Sequence, residues 1–264
     1  MRFGCCGSMI APGTDPLGAA IVEDAAGLGF DYVELSLRDI AALPEADLLG
    51  LRARLEKAGL PCEACNNFYP ADIPLTGPRA DLGAALRYGR TALERARSLG
   101  VRTVVFGSSG ARNVPAGYEM ASARDQLVAL LRGLGPVAEV LGIVLSVEPL
   151  RRAESNIINR LEEALPLVEA VGHPSVRALV DSYHLEAEGE DVSAVVGAGG
   201  AVRHVHVAEG EGRRFPTGPG LLGPLFAGLK AIGYDGRCSI EAYTDDFAAD
   251  AFRALGVLRQ LAGA

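Results

Sequence analysis

The sequence predicts an α/β fold, a single (β/α)8 TIM barrel occupying residues 1–264 as one domain, and three observations carry that reading. Helix-like apolar periods end in glycine at Gly29, Gly59, Gly100, Gly142, Gly172, Gly199-Gly200 and Gly233, where a residue without Cβ suits the left-handed helix close. A short apolar strand follows each junction within a few residues, so seven junctions separate eight strand candidates. Strict alternation of strand and helix implies parallel neighbours, and eight such units in 264 residues close into a barrel.

In chain order the strands are expected near Arg2–Cys6, Tyr32–Leu35, Pro61–Cys65, Thr103–Phe106, Val144–Glu148, Arg177–Asp181, Arg203–Val207 and Arg237–Glu241. Between them lie helical stretches such as Leu82–Leu99 and Tyr118–Leu141; the former sets Leu82, Ala85, Leu86, Leu93, Ala96 and Leu99 largely on one face. A doubly wound open sheet is the rival, but Gly4-Cys5-Cys6-Gly7 after the first strand does not fit the phosphate-binding glycine pattern. Longer loops follow the third, fourth and seventh strands (66–78, 107–117 and 208–220), at the strand ends where barrels build their sites.

Hydrophobic residues make up 49% of the chain and charged residues 22%, an ordinary globular composition. The net charge of −8 gives no footing for phosphate-backbone attraction, so no nucleic-acid partner is expected. Neither a secretory leader nor an apolar run of about 18 residues is visible, so no membrane partner is expected. Five cysteines, mostly in apolar surroundings, read as free thiols of a reduced, cytoplasmic protein.

The chemistry lies at the ends of the last four strands. Ser146-Val147-Glu148, Leu179-Val180-Asp181, His204-Val205-His206 and Ser239-Ile240-Glu241 each put an ionisable group after an apolar run. Alternate strand residues share a face, so the four groups converge if their strands point them inward. Three carboxylates and an imidazole crowded together would be forced to protonate, at several kcal/mol. One divalent cation removes the conflict, and this oxygen-rich set with one nitrogen suits Mn²⁺ first, then Mg²⁺ or Co²⁺. Any one of the groups is equally well read as a solvated strand cap; four at equivalent positions are not.

Glu148-Pro149-Leu150, Asp181-Ser182-Tyr183-His184, His204-Val205-His206-Val207-Ala208-Glu209 and Ile240-Glu241 resemble the motifs of the xylose-isomerase-like barrels, nearest the sugar phosphate isomerase/epimerase group. That group includes ketose 3-epimerases, hydroxypyruvate isomerases and inosose isomerases. The resemblance implies Glu148, Asp181, His206 and Glu241 as metal ligands, with Glu148 and Glu241 also the catalytic acid/base pair. It implies His184 and Glu154 as substrate contacts, a small carbohydrate substrate, and a homo-oligomer, dimer or tetramer. Two departures stand out: Arg151 where asparagine is usual, and Arg213 one residue later than the common arginine.

The reaction expected is removal of a carbon-bound proton next to a carbonyl, through an enediolate, and its return on the opposite face (epimerisation) or to the neighbouring carbon (isomerisation). A lyase or dehydratase is the alternative, since the same enediolate expels a β-leaving group. An endonuclease of the same superfamily fits poorly with four histidines and an acidic chain, and a non-catalytic barrel fits poorly with four retained ligands.

Other residues carry two readings. Arg213 and Arg214 either clamp substrate or sit solvated on a loop. His204 is expected beneath His206, in the core or supporting it, and His173 at an exposed turn. Cys62 and Cys65, three apart on a strand, are expected to face opposite ways and to serve packing. Glu34 suits a substrate contact or a rim role. Asn67 is taken as a substrate contact, with Asn66 beside it. Phe68 and Phe106 are read as core before sugar wall, and Gly107-Ser108-Ser109-Gly110 as a weak phosphate cradle.

Overall fold

In the computed structural model, which describes residues 1–263, eight strands close into one parallel barrel in sequence order. They are β1 (Arg2–Cys6), β2 (Tyr32–Ser36), β3 (Cys62–Asn66), β4 (Thr103–Phe106), β5 (Val144–Val147), β6 (Val176–Asp181), β7 (Val202–Val207) and β8 (Arg237–Ile240). All eight expected strands form, with ends shifted by one residue at most. β5 and β8 stop just short of Glu148 and Glu241, whose N–H groups nevertheless extend the ladder to Phe106 O (3.2 Å) and Val207 O (3.0 Å).

Helices Leu82–Ser98 and Met120–Leu141 form almost as expected. Asp81 opens the first by accepting from Ala84 N at 2.9 Å, so one of the orphan N–H groups of the first turn is met. Gly142, at φ 65°, closes the second. A glycine with positive φ also stands at each of the other six predicted junctions.

Two layers divide the interior. Between strands and helices lies an apolar shell that includes Leu35, Leu93, Val104, Leu127, Leu130 and Val205, all buried. Phe68 and Phe106 belong to that packing, fully buried, rather than to a sugar wall. Inside the barrel the residues are largely polar: Tyr32, Glu34, Ser146, His204, His206 and Ser239 have no exposed surface. The backbone makes room for them, because a Cβ at Gly4 would lie 2.4 Å from the Tyr32 ring, so only glycine lets that tyrosine lie across the barrel floor.

Two expectations are corrected. Pairing jumps from Val33↔Cys62 to Glu34↔Ala64, leaving Glu63 as an extra residue in β3. This bulge cancels the alternation, so Cys62 and Cys65 meet with their sulfurs 3.9 Å apart instead of facing away. His173 is half-buried against Gly135 and accepts from Ser175 N at 3.2 Å, so it is not simply exposed. All five cysteines are free and buried. Among the described residues no helix is long and apolar enough to cross a membrane.

Candidate metal centre

The four strand-end groups meet at the barrel mouth. One ligand atom from each of Glu148, Asp181, His206 and Glu241 lies within 4.8 Å of the other three, and all four residues are buried. His206 Nδ1 is the shared focus, 3.1 Å from Glu148 Oε1 and 3.0 Å from Glu241 Oε2. Glu148 follows β5 and His206 lies on β7, so that contact skips a strand and must cross the barrel interior.

Around this focus each carboxylate is held by named donors. Asp181 accepts from Tyr183 N at 2.8 Å as its chain turns into the helix Ser182–Ala187. Glu241 accepts from Asn66 Nδ2 at 3.0 Å and from Arg213, whose Nη2 also reaches Asp181 Oδ2 at 3.0 Å. Glu148 packs on bare backbone: a Cβ at Gly107 would lie 2.2 Å from Glu148 Oε2. The Gly107 loop therefore backs a carboxylate. Gly107→Ala is expected to push that carboxylate aside and to weaken Mn²⁺ binding at least tenfold by calorimetry, with the circular dichroism spectrum unchanged.

Electrostatics divide the cluster. Burial, reinforced by the Glu241 charge, raises Glu148 above the usual carboxylate range despite its bond to His206. Burial acts the same way on Glu241, but Arg213 and His206 outweigh it and hold that carboxyl well below its ordinary value. Burial pushes His206 down, yet the charges of Glu241 and Glu34 prevail and raise it well above its ordinary value. Without a cation, the raised His206 and the Arg213 guanidinium are the groups that would offset these acids.

The donor set fits a hard divalent cation: three buried carboxylates and one imidazole nitrogen, of a kind that three strand ends and a fourth bring together without any thiolate. A second observation agrees. His184 is buried, its Nε2 lies 3.6 Å from Asp181 Oδ2, and that nitrogen has no hydrogen-bond partner among the described residues, while its Nδ1 accepts from Arg151 N at 3.2 Å. A buried, unpartnered donor aimed at the cluster leaves a position for a ligand oxygen.

The remaining predicted residues divide. Glu154 stands at the rim, tied by its Oε1 to Arg151 Nε at 2.7 Å. Arg213 turns into the site and lies over the Tyr183 ring, opposite in role to Arg214, which is exposed and pairs with Asp245. Asn66 reaches the cluster and Asn67 does not: Asn67, at φ 48°, donates to Asn66 Oδ1 at 3.3 Å. Their order follows from alternation, since Asn66 is the last residue of β3 and falls on the face of Ala64, whereas Asn67 begins the turn. Sequence reasoning gave no place to Arg112, fully buried with its Nη1 donating to Phe106 O at 2.9 Å. Burial lowers it to about 10 against the pull of Glu148.

Comparison with known proteins places this geometry. The family described as Xylose isomerase-like TIM barrel matches residues 22–261. A ketose 3-epimerase of Arthrobacter globiformis is 28% identical over 99% of this chain and 90% of its own length. An L-ribulose 3-epimerase of Mesorhizobium japonicum is 30% identical over 83% of this chain and 73% of its own. The crystal structure of a D-psicose 3-epimerase in the presence of D-fructose superposes with a TM-score of 0.89, at 22% identity, each chain covered fully.

Proposed function

Because the chain belongs to the xylose isomerase-like TIM barrel family, we propose that it is a divalent-metal-dependent epimerase or isomerase of a small ketose. The observation that carries the reading is the buried cluster of Glu148, Asp181, His206 and Glu241 at the mouth of β5–β8. These four residues would hold the cation, with Mn²⁺ the first expectation. When bound, such a cation supplies Lewis-acid stabilisation of negative charge on a carbonyl oxygen and the neighbouring hydroxyl.

The chain's own groups do the rest. Glu148 and Glu241 come from strands on opposite sides of His206, so they flank whatever lies before it. One carboxylate takes the proton from the carbon beside the carbonyl, and the other returns a proton to that carbon on the opposite face. His184 Nε2, which has no hydrogen-bond partner among the described residues, donates to a substrate oxygen. Arg213, on the ligand carboxylates, binds a second oxygen and neutralises developing charge. Glu154, at the rim, orients the distal hydroxyls. A dimer or tetramer is part of the same proposal, tested by sedimentation.

The test is a panel of free ketoses incubated with Mn²⁺ in heavy water. Deuterium entering one substrate carbon, with mass otherwise conserved, is the expected result. Release of water or of an aglycone would instead establish the lyase reading. That alternative rests on Arg151, which stacks on Tyr183 4.8 Å from the ring centre and ties down Glu154.

A further inference from the structure

Below the cluster a second carboxylate lies wholly inside the barrel. Glu34 has no exposed surface, and its oxygens are shared among three groups from β7 and β8. His206 Nε2 is 3.0 Å from Oε1, His204 Nε2 is 2.9 Å from Oε2, and Ser239 Oγ is 2.5 Å from the same Oε2. Tyr32 OH meets Ser239 Oγ at 2.8 Å, in the space that Gly4 leaves open. β2 neighbours neither β7 nor β8 in the barrel, so these bonds run across its interior and fix the imidazoles from below.

We infer that Glu34 is the positioning residue of the metal centre: it accepts a hydrogen bond from the Nε2–H of His206 and so aims the Nδ1 lone pair at the cation. The inference rests on the proposed function only in requiring a cation at the cluster. An imidazole presents one nitrogen to a metal only if the other carries the hydrogen, and a hydrogen-bonded carboxylate behind it sets which is which. With the cation in the four-residue cluster the assignment is fixed, because Nδ1 faces Glu148 and Glu241 while Nε2 faces Glu34. His204 and Ser239 hold the same carboxylate still, which is the work of His204 in the barrel; it is not a ligand.

Glu34→Gln keeps the shape and reverses the logic. The Oε2 place serves two neighbours, so the amide oxygen settles there and the amide NH₂ is left facing His206 Nε2. A donor at that point demands a lone pair on Nε2 and moves the ring hydrogen to Nδ1, against the cation. Mn²⁺ affinity measured by calorimetry is expected to fall 10- to 100-fold, while circular dichroism and melting temperature show a folded barrel. An affinity within twofold of the parent protein overturns the inference.

A measurement on the unaltered chain removes dependence on that variant. With only four histidines, ¹⁵N-labelled imidazoles are readily assigned, His206 by its loss in His206→Asn. In the Mg²⁺-loaded protein, His206 is expected to show a protonated, slowly exchanging Nε2 and a metal-shifted Nδ1. The reverse pattern refutes the role of Glu34 even if the barrel proves an active epimerase. Parent protein that binds no Mn²⁺ at all takes down both readings together.

Discussion

Glu148→Gln and Glu241→Gln are each expected to lower kcat by at least 10³-fold with the fold intact, and to separate the two halves of the proton transfer. General acid–base groups contribute roughly 10²–10⁴-fold, and here each glutamate also loses a ligand charge, which places the loss at the upper end. The readout that distinguishes catalysis from mere metal loss is isotope exchange at saturating Mn²⁺. A chain that lacks one carboxylate keeps a base on the other face, so it washes deuterium into the single stereoisomer it can still deprotonate without forming the epimer. The double variant exchanges nothing. Full epimerisation by either single variant removes these residues as the acid/base pair, whatever the cluster binds.

Much of this site was legible because barrel geometry converts a spacing into a place. An ionisable residue after an apolar run, four strands in succession, had to arrive at one rim, and Glu148, Asp181, His206 and Glu241 do so. The strands were legible for a related reason: glycines with positive φ mark where each helix must stop. What escaped was interior. Tyr32, Glu34 and Ser36 show the same alternation as β5–β8, but a polar residue on a buried strand has no unique partner until the barrel closes and sets β2 opposite β7. The bulge at Glu63 was equally hidden, since one extra residue changes which faces agree without leaving any mark in composition. Arg112 carried no mark in the sequence, and only packing shows its guanidinium capping the carbonyl that ends β4. Asn66 and Asn67 differ by one residue, within the error that turn chemistry allows when the strand end is unknown.

The second large effect concerns protons and the cation. In the metal-free protein His206 is raised well above its ordinary 6.5 by Glu241 and Glu34, against the opposing effect of burial. A raised folded-state value means that the imidazolium stabilises the metal-free fold fully below about pH 6.5, and that this stabilisation is lost as pH rises through the raised value. A metal ion needs the Nδ1 lone pair, so it competes with that proton and gains as pH rises. Mn²⁺ affinity is therefore expected to fall about tenfold for each unit of pH lost between 8 and 6, one proton being displaced. Glu148, raised by burial and by Glu241, steepens the fall wherever it too must lose a proton. Calorimetry in buffers of different ionisation enthalpy counts the displaced protons directly, and should return one or more per cation. Chelation at pH 8 is expected to abolish turnover and added Mn²⁺ to restore it. An affinity that stays level from pH 6 to 8 means that no proton is displaced, and overturns the protonation of His206 in the absence of the cation.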